Sequence, residues 1–421
     1  MKDYKETEIG IIPNDWDLVA LKDVANINMG QSPSSSTYNN LEIGMPFYQG
    51  KTDFGFINPI KRMYCSAPSK CADANDILIS VRAPVGPVNI TTERCCIGRG
   101  LAAIKSKSFT DQAFLYFYLI YQEERIAAKG TGSTFKAINK NQLIDFPVPK
   151  IPEKEQRNIS HILSLIQSAI QKQEQIINTT TELKNTLMKK LFIEGMNNEP
   201  LKKTEIGLIP ESWKVVELDD VCEIVRKSYQ PVKNGSKFYI GLEHMLSGVT
   251  KIYSHGFESE IVSSKNQFKA GQIIYGKLRP YLDKATIPHF DGICSSDILV
   301  FDGKNEVANP FLIHFFHSER FINYAKASTT GVQHPRTSWN ALKKLKFGLP
   351  KKNEGEEISY YLNTLINKIE FHNKKRKTLE SLFNSMLHQL MTGKLRIKNL
   401  QPDKAYKLNE VQDELSLAAE P

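Results

Sequence analysis

"TEIGIIPNDWDLVAL" runs from Thr7 to Leu21, and "TEIGLIPESWKVVEL" runs from Thr204 to Leu218, 197 residues later. Nine of the fifteen positions are identical: Thr, Glu, Ile, Gly, Ile, Pro, Trp, Val and Leu. The chain has only 3 Trp, so Trp16 against Trp213 fixes the alignment of the two stretches. Self-similarity at a long fixed interval points to duplication of a whole structural unit, and it governs how everything else is interpreted.

Working outward, the similarity continues through most of the chain. "NDILISVRAPVG" (Asn75–Gly86) gives an apolar β-like run, then Arg and Pro, and "GQIIYGKLRPYL" (Gly271–Leu282) repeats that order. Second β-like runs follow in "CCIGRGLAAI" (Cys95–Ile104) and "GICSSDILVF" (Gly292–Phe301). Aromatic helical stretches come next, "DQAFLYFYLIYQEER" (Asp111–Arg125) and "NPFLIHFFHSERF" (Asn309–Phe321). Each copy then has a Gly-containing polar loop, "KGTGSTFKAINKNQL" (Lys129–Leu143) or "STTGVQHPRTSWNAL" (Ser328–Leu342), before a Pro-bounded exit. Residues 7–195 thus repeat as 204–393, while the 30–75 and 228–270 regions hardly match. Shared text implies a shared contact, and divergent text implies different ones.

Each exit leads into a long heptad pattern. After "FPVPKIPEKEQ" (Phe146–Gln156) the expected seam is Ile159, Ile162, Ile166, Ala169, Gln173, Ile176, Thr180, Leu183 and Leu187. After "FGLPKKNEGEE" (Phe347–Glu357) it is Ile358, Leu362, Leu365, Ile369, His372, Arg376, Leu379, Phe383, Met386 and Leu390. Alternating steps of three and four mark a coiled-coil seam. No Pro interrupts either run, so each predicts a helix of about 40 residues, roughly 60 Å long at 1.5 Å per residue. Gly195 and Gly393 are suitable stops. Narrow seams of equal length favour pairing of the two helices with each other, antiparallel, over packing on separate cores. Polar positions in mid-seam (Gln173, Thr180, His372, Arg376) suit a pair whose register must be fixed.

Composition narrows the function. The chain has 421 residues, enough for two to four domains. Its 55 Lys+Arg exceed its 46 Asp+Glu by 9, a balance that permits polyanion partners, nucleic acid first. The longest apolar stretch, "AFLYFYLIY" (Ala113–Tyr121), is half the length of a membrane span, and "MKDYKETEIG" has no signal-like apolar core. The expectation is a cytoplasmic protein.

Chemistry is hard to find. Cys65, Cys71, Cys95, Cys96, Cys222 and Cys294 include no C-x-x-C pair, so buried free thiols are expected rather than a zinc site or disulfides. "GTGST" (Gly130–Thr134) lacks phosphate-loop spacing, and its counterpart "TTGVQ" keeps one Gly. "NPI" (Asn58–Ile60) and "NPF" (Asn309–Phe311) fall short of a methyltransferase loop. "PEKE" (Pro152–Glu155) has the residue types of a metal nuclease but is more simply a solvent-facing, acid-rich helix start. "HFFH" (His314–His317) suggests partial burial. No metal or catalytic set emerges, and no covalent chemistry is expected. Recognition remains. Gln49, Lys51, Arg82, Arg99 and Lys136 in the first copy could meet bases or phosphates, as could Lys277, Arg279, Gln333, His334 and Arg336 in the second. Singly, each is more often a solvated side chain, while "KKRK" (Lys374–Lys377) is as readily solvated as laid along DNA.

The doubled opening, the Arg-Pro strand, "VPKIPEKEQRNIS" (Val148–Ser160) and "LMTGKLR" (Leu390–Arg396) together resemble the specificity subunits of type I restriction–modification systems. The second exit, "LPKKNEGEEI", and the first helix end, "FIEGMN", depart from that phrasing. The resemblance implies an α+β fold: two α/β target recognition domains separated by two long antiparallel coiled-coil helices, in a tandem pseudo-twofold repeat. The expected segments are residues 1–151 and 198–352 for the recognition domains and 152–197 and 353–397 for the spacer helices. A flexible C-terminal tail is expected over residues 398–421. It further implies a non-catalytic reader of a bipartite double-stranded DNA site. Its partners would be two methyltransferase subunits and a restriction/motor subunit, which would carry S-adenosylmethionine, ATP and Mg²⁺. Two other readings stay open: a self-sufficient DNA methyltransferase or endonuclease, and a coiled-coil interaction protein without a DNA role.

Overall fold

The computed structural model describes residues 4–131, 136–304 and 307–397. The duplicated "TEIG" text explains itself as a tight hairpin. Strands Tyr4–Thr7 and Gly10–Pro13 pair antiparallel with Thr7 opposite Gly10, and Leu201–Thr204 pairs with Gly207–Pro210 in the same way. The Thr hydroxyl donates across the turn to the Gly carbonyl, at 2.6 Å in the first copy and 2.8 Å in the second. Gly10 and Gly207 hold φ of +106° and +108°, where a side chain is strained. The chain then folds back so that the N–H of Trp16 reaches the Pro13 carbonyl and that of Trp213 the Pro210 carbonyl. Both indoles are fully buried.

Opening and exit text pair with each other. Asp17–Ala20 runs antiparallel to Pro147–Lys150, and Lys214–Glu217 to Lys346–Leu349. Between them each copy builds a four-stranded antiparallel sheet, in the order Val88–Ile90, Ile77–Ser80, Leu101–Ser106, Ala25–Met29 in the first. In the second the corresponding order is Ala285–Thr286, Ile273–Gly276, Ile298–Gly303, Cys222–Ile224. The aromatic helices Gln112–Tyr121 and Asn309–Phe316 bury Phe114, Phe117, Phe311 and Phe315 in the core that each sheet shares with its hairpin.

The divergent regions build a second, five-stranded sheet. Its centre is common to both copies: Met45–Tyr48 parallel to Cys95–Ile97, and Phe238–Ile240 parallel to Gly292–Cys294. Flanking antiparallel strands correspond as well, Cys71–Ala72 with Lys265–Phe268 and Tyr64–Cys65 with Gly256–Phe257. The fifth strand does not correspond. Tyr38–Asn39 joins beyond Tyr64–Cys65, whereas Ser228–Tyr229 joins beyond Lys265–Phe268, at the opposite edge.

Two long helices, Glu153–Glu194 and Lys352–Met391, run 42 and 40 residues. Compactness divides the chain into one unit of residues up to Glu174 together with those from Lys374, and a second unit from Gln175 to Asn373. In the first unit the helices run antiparallel: Asn158 donates to the Ile397 carbonyl, Ile159 and Leu163 share a core with Leu387 and Leu390, and Glu174 pairs with Arg376. In the second, Leu187 and Leu191 pack with Ile358 and Leu362, and Met196 N–H meets Glu354.

The second helix buries its expected seam at least in part. In the first helix the set through Ile159, Ile166, Gln173, Thr180 and Leu187 faces inward, but its companions are Leu163, Ile170, Ile177 and Leu191. The expected Ile162, Ala169 and Ile176 are half-buried beside these more buried neighbours, and only Leu183, 53% exposed, turns outward. The sequence offers adjacent apolar pairs at 162–163, 169–170 and 176–177, so packing made the choice.

The acid-rich helix start also differs from expectation. Glu153 is exposed and pairs with Arg157, but Glu155 is buried. Arg396 donates to it at 2.7 and 2.9 Å, donates to Asp15 at 2.8 and 2.9 Å, and lies over the Trp16 ring. In the second copy Glu354 holds the corresponding place with other donors, Trp213 Nε1 at 2.9 Å and Met196 N–H at 2.8 Å. The tail from 398 onward and Gly132–Thr134 of the glycine loop lie outside the described residues.

Candidate nucleic-acid interface

In the first copy, four of the five candidate side chains sit on loops that hydrogen bonds tie into one neighbourhood. Gln49 follows the central strand of the five-stranded sheet and is exposed. The turn carrying Arg99 packs on it, with Gly98 N–H donating to the Tyr48 carbonyl at 2.8 Å. A Cβ at Gly100 would stand 2.3 Å from the Gln49 carbonyl oxygen, so only glycine allows this approach. Gly100 then accepts from Val81 N–H (2.9 Å), and Val81 accepts from Ile138 N–H (3.0 Å). Arg82 bridges Ala137, the neighbour of Lys136. Arg82, Arg99 and Lys136 are exposed on this scaffold. Lys51 is exposed in the short helical turn Lys51–Asp53, where Asp53 caps the N–H of Gln49 at 2.6 Å.

The second copy repeats the scaffold with other side chains. Lys277 N–H donates to the Asp297 carbonyl (2.9 Å), and Thr337 N–H donates to that of Lys277 (3.0 Å). Leu278 bridges Arg336 as Arg82 bridges Ala137. The sheet register thus places Arg82 opposite Leu278 in the repeat, not Arg279. Arg279 stands one residue on, exposed, at φ +50°, a left-handed conformation uncommon for a residue with a Cβ. Its N–H is held by the Pro335 carbonyl at 2.8 Å. Gln333 and His334 are exposed on the same loop as Arg336.

Arg336 is engaged already. Its guanidinium donates to both oxygens of Asp297, at 2.8 and 3.1 Å. That hydrogen-bonded guanidinium holds the Asp297 carboxyl below the ordinary carboxylate range. Where the first copy has Gly100 and Ala137, the second therefore has an Asp–Arg pair. In "KKRK", Arg376 is similarly committed, to Glu174 and Glu380, while Lys374, Lys375 and Lys377 are exposed.

Burial dominates at four cysteines and at His314. All six cysteines are free, and desolvation raises the thiols of Cys95, Cys222 and Cys294 to about 12 and that of Cys96 to about 11. His314 is pushed down to about 3 by burial and then by neighbouring His317. His317 is tied to Asp283 at 2.7 Å. No group of three or more His, Cys, Asp or Glu among the described residues could hold a metal ion. No described helix is long and apolar enough to cross a membrane. A groove of about 440 Å³ lined by Met188, Phe192, Leu208, Phe315 and Phe347 contains none of the candidate DNA-facing residues.

These duplicated frames with unlike edges can be set beside known proteins. The type I restriction modification DNA specificity domain matches residues 13–182 and again residues 210–381. The chain belongs to that family. It carries two target recognition domains in tandem, the organisation of a specificity subunit. Over 419 residues it is 25% identical to the type I restriction enzyme MjaVIII specificity subunit of Methanocaldococcus jannaschii, covering 95% of this chain and 97% of that one. A protein of the same organism assigned as the MjaX specificity subunit is 45% identical over 194 residues, 44% of this chain and 46% of its own length. The crystal structure of a type I S subunit from M. genitalium shares the fold at TM-score 0.61 and 15% identity, over 89% of this chain and 96% of that one. Nothing in the sequence distinguished Asp297 as the partner of Arg336, because 39 residues separate them.

Proposed function

We propose that each recognition domain reads one part of a bipartite, asymmetric double-stranded DNA site, and that the paired helices set the unread gap. The observation that carries this is the five-stranded sheet: one four-strand centre in both copies, with the fifth strand on opposite edges. Two unlike readers on like frames suit an asymmetric site. Parts read from one face of DNA lie about one helical turn apart, roughly 34–36 Å, a distance that rigid helices of this length can impose.

In this reading the chain does no covalent chemistry. It docks two methyltransferase subunits through its duplicated hairpins and helix ends, where Ile11 and Leu208 leave apolar side chains exposed, and it also holds a restriction/motor subunit. S-adenosylmethionine, ATP and Mg²⁺ belong to those partners, and the assembly works in the cytoplasm. Replacing residues 204–350 with the equivalent part of another family member tests it. Sequencing of methylated host DNA should then show one half of the bipartite motif changed and the other kept. A change in both halves, or in neither, would refute the modular reading.

A further inference from the structure

The fifth strand of the second domain opens an arm that the first domain lacks. Residues 226–237, "RKSYQPVKNGSK", contain Arg226, Lys227, Lys233 and Lys237 and no acidic residue. Arg226, Lys227 and Lys233 are exposed, and none of the three forms an ion pair among the described residues. The arm is nevertheless not loose. Glu258 is 1% exposed and accepts three hydrogen bonds from it: from the Tyr229 hydroxyl at 2.7 Å, Val232 N–H at 2.9 Å and Lys237 N–H at 3.2 Å. Its own N–H returns to the Lys237 carbonyl at 2.9 Å. A Cβ at Gly235 would fall 2.0 Å from the carboxylate carbon, so the arm closes over the Glu258 head group with no room to spare.

A buried carboxylate is costly unless donors surround it, and here every donor comes from one basic segment. The effect is to fix the shape of a loop whose cations would otherwise be scattered, which lowers the entropy lost when a partner binds. Register gives the direction. Ser228–Tyr229 pairs with Lys265 and Asn266, and Asn266 lies opposite Cys294, after which the chain enters the turn of Ser295–Asp297. The arm therefore leaves from the end of the sheet that carries the Arg279 and Arg336 loops and crosses to the other end, where Lys237 precedes Phe238, the partner of Gly292 and Phe257.

We propose that this arm grips the DNA phosphate backbone beside the part of the site read by the second domain, with Glu258 as its positioning residue. The inference rests on the DNA-reading function above. The test uses the full chain assembled with its methyltransferase partner, binding a labelled mixed-sequence duplex of about 40 base pairs across roughly 50–200 mM salt. Each phosphate contact contributes about 0.9 to the slope of log affinity against log salt. The triple variant R226A/K227A/K233A should lower the wild-type slope by about 2 to 3. A wild type without salt dependence would refute DNA reading itself. A steep wild type whose slope the triple variant keeps would overturn only the arm, as would a triple variant that loses its protein partner and not DNA.

Glu258→Gln should weaken binding several-fold in the wild-type background and have no further effect in the triple variant. Weakening in both backgrounds would reduce Glu258 to a structural residue and overturn the positioning role. Gly235→Ala, which crowds the same carboxylate, should reproduce the Glu258→Gln result. Hydrogen exchange should show 228–237 opening in both variants while the strand Ile298–Gly303 stays protected.

Discussion

Arg396 joins two carboxylates of the first unit, and its removal should be felt there alone. Its guanidinium meets two carboxylates, Asp15 with a side chain 50% exposed and Glu155 with one 3% exposed. An exposed pair contributes about 0–1 kcal/mol. The Trp16 ring, 5.3 Å from the guanidinium carbon, adds about 0.5–1 kcal/mol. Glu155 decides the outcome, because a buried charge stripped of its partner costs about 3–5 kcal/mol. Arg396→Met should therefore destabilise the first unit by about 3–5 kcal/mol, or roughly 6–20 °C of its heat transition at the scale of a unit this size. The companion double variant, Arg396→Met with Glu155→Leu, removes both charges and keeps apolar volume, so it should recover most of the loss. Calorimetry of the full chain measures the shift. Hydrogen exchange of 4–20 and 153–163, set against 204–217, assigns it to a unit. A single-variant shift below about 2 °C, or a double variant no better than the single, would show that burial of Glu155 is not what Arg396 offsets.

Other outcomes follow from the same geometry. His314, ordinarily near 6.5, sits at about 3 in the folded chain. Unfolded chains then bind the extra proton between those values, so the second unit should lose about 1.4 kcal/mol per pH unit as pH falls below 6.5. His314→Phe should flatten that part of a urea-stability profile, and an unchanged slope would refute the assignment. With four thiols raised to about 11 or 12 and Cys65 buried, a thiol reagent at neutral pH should modify the half-buried Cys71 in the native chain. All six should react only after unfolding; fast reaction of Cys95 or Cys294 would contradict their burial. Arg99→Ala, at an exposed tip between two glycines, should weaken DNA binding by about 1–3 kcal/mol and relax one base position if the residue reads a base. Arg336→Ala should instead first disturb the loop that its pair with Asp297 holds, seen as faster exchange of 328–337 with the strand Ile298–Gly303 protected.

The repeat was legible because local chemistry wrote it twice. The hairpin needs Thr and Gly at fixed positions, the core needs its Trp, and the helices need long runs without proline. All of these are properties of adjacent residues. The seam of the first helix was legible only in half. At 162–163, 169–170 and 176–177 either neighbour could face inward, and only at 183–184 did the sequence offer a choice of Leu against Lys. There packing overrode hydrophobicity: Leu183 is exposed, while Lys184 is half-buried and desolvation lowers its affinity for a proton. Arg82 and Arg279 looked equivalent because each precedes a proline closely. The sheet register separates them by one residue, a slip that reverses which face a strand residue presents. Glu155 with Arg396, Asp297 with Arg336 and Glu258 with its arm could not be read at all, since each pairing spans the fold rather than a local period.

The divergent sheet shows why variation collects where it does. Its centre is tied on both sides, with Cys95–Ile97 and Gly292–Cys294 each paired to two strands, so a change there disturbs two registers at once. A fifth strand of two residues is tied on one side only, and losing it leaves the central ladder intact. Moving that strand from one edge to the other therefore alters what a domain presents at the end of the sheet without disturbing the helices or the hairpin at the other end of the fold's construction. The two copies in one chain thus differ at the position where a change least disturbs the shared frame.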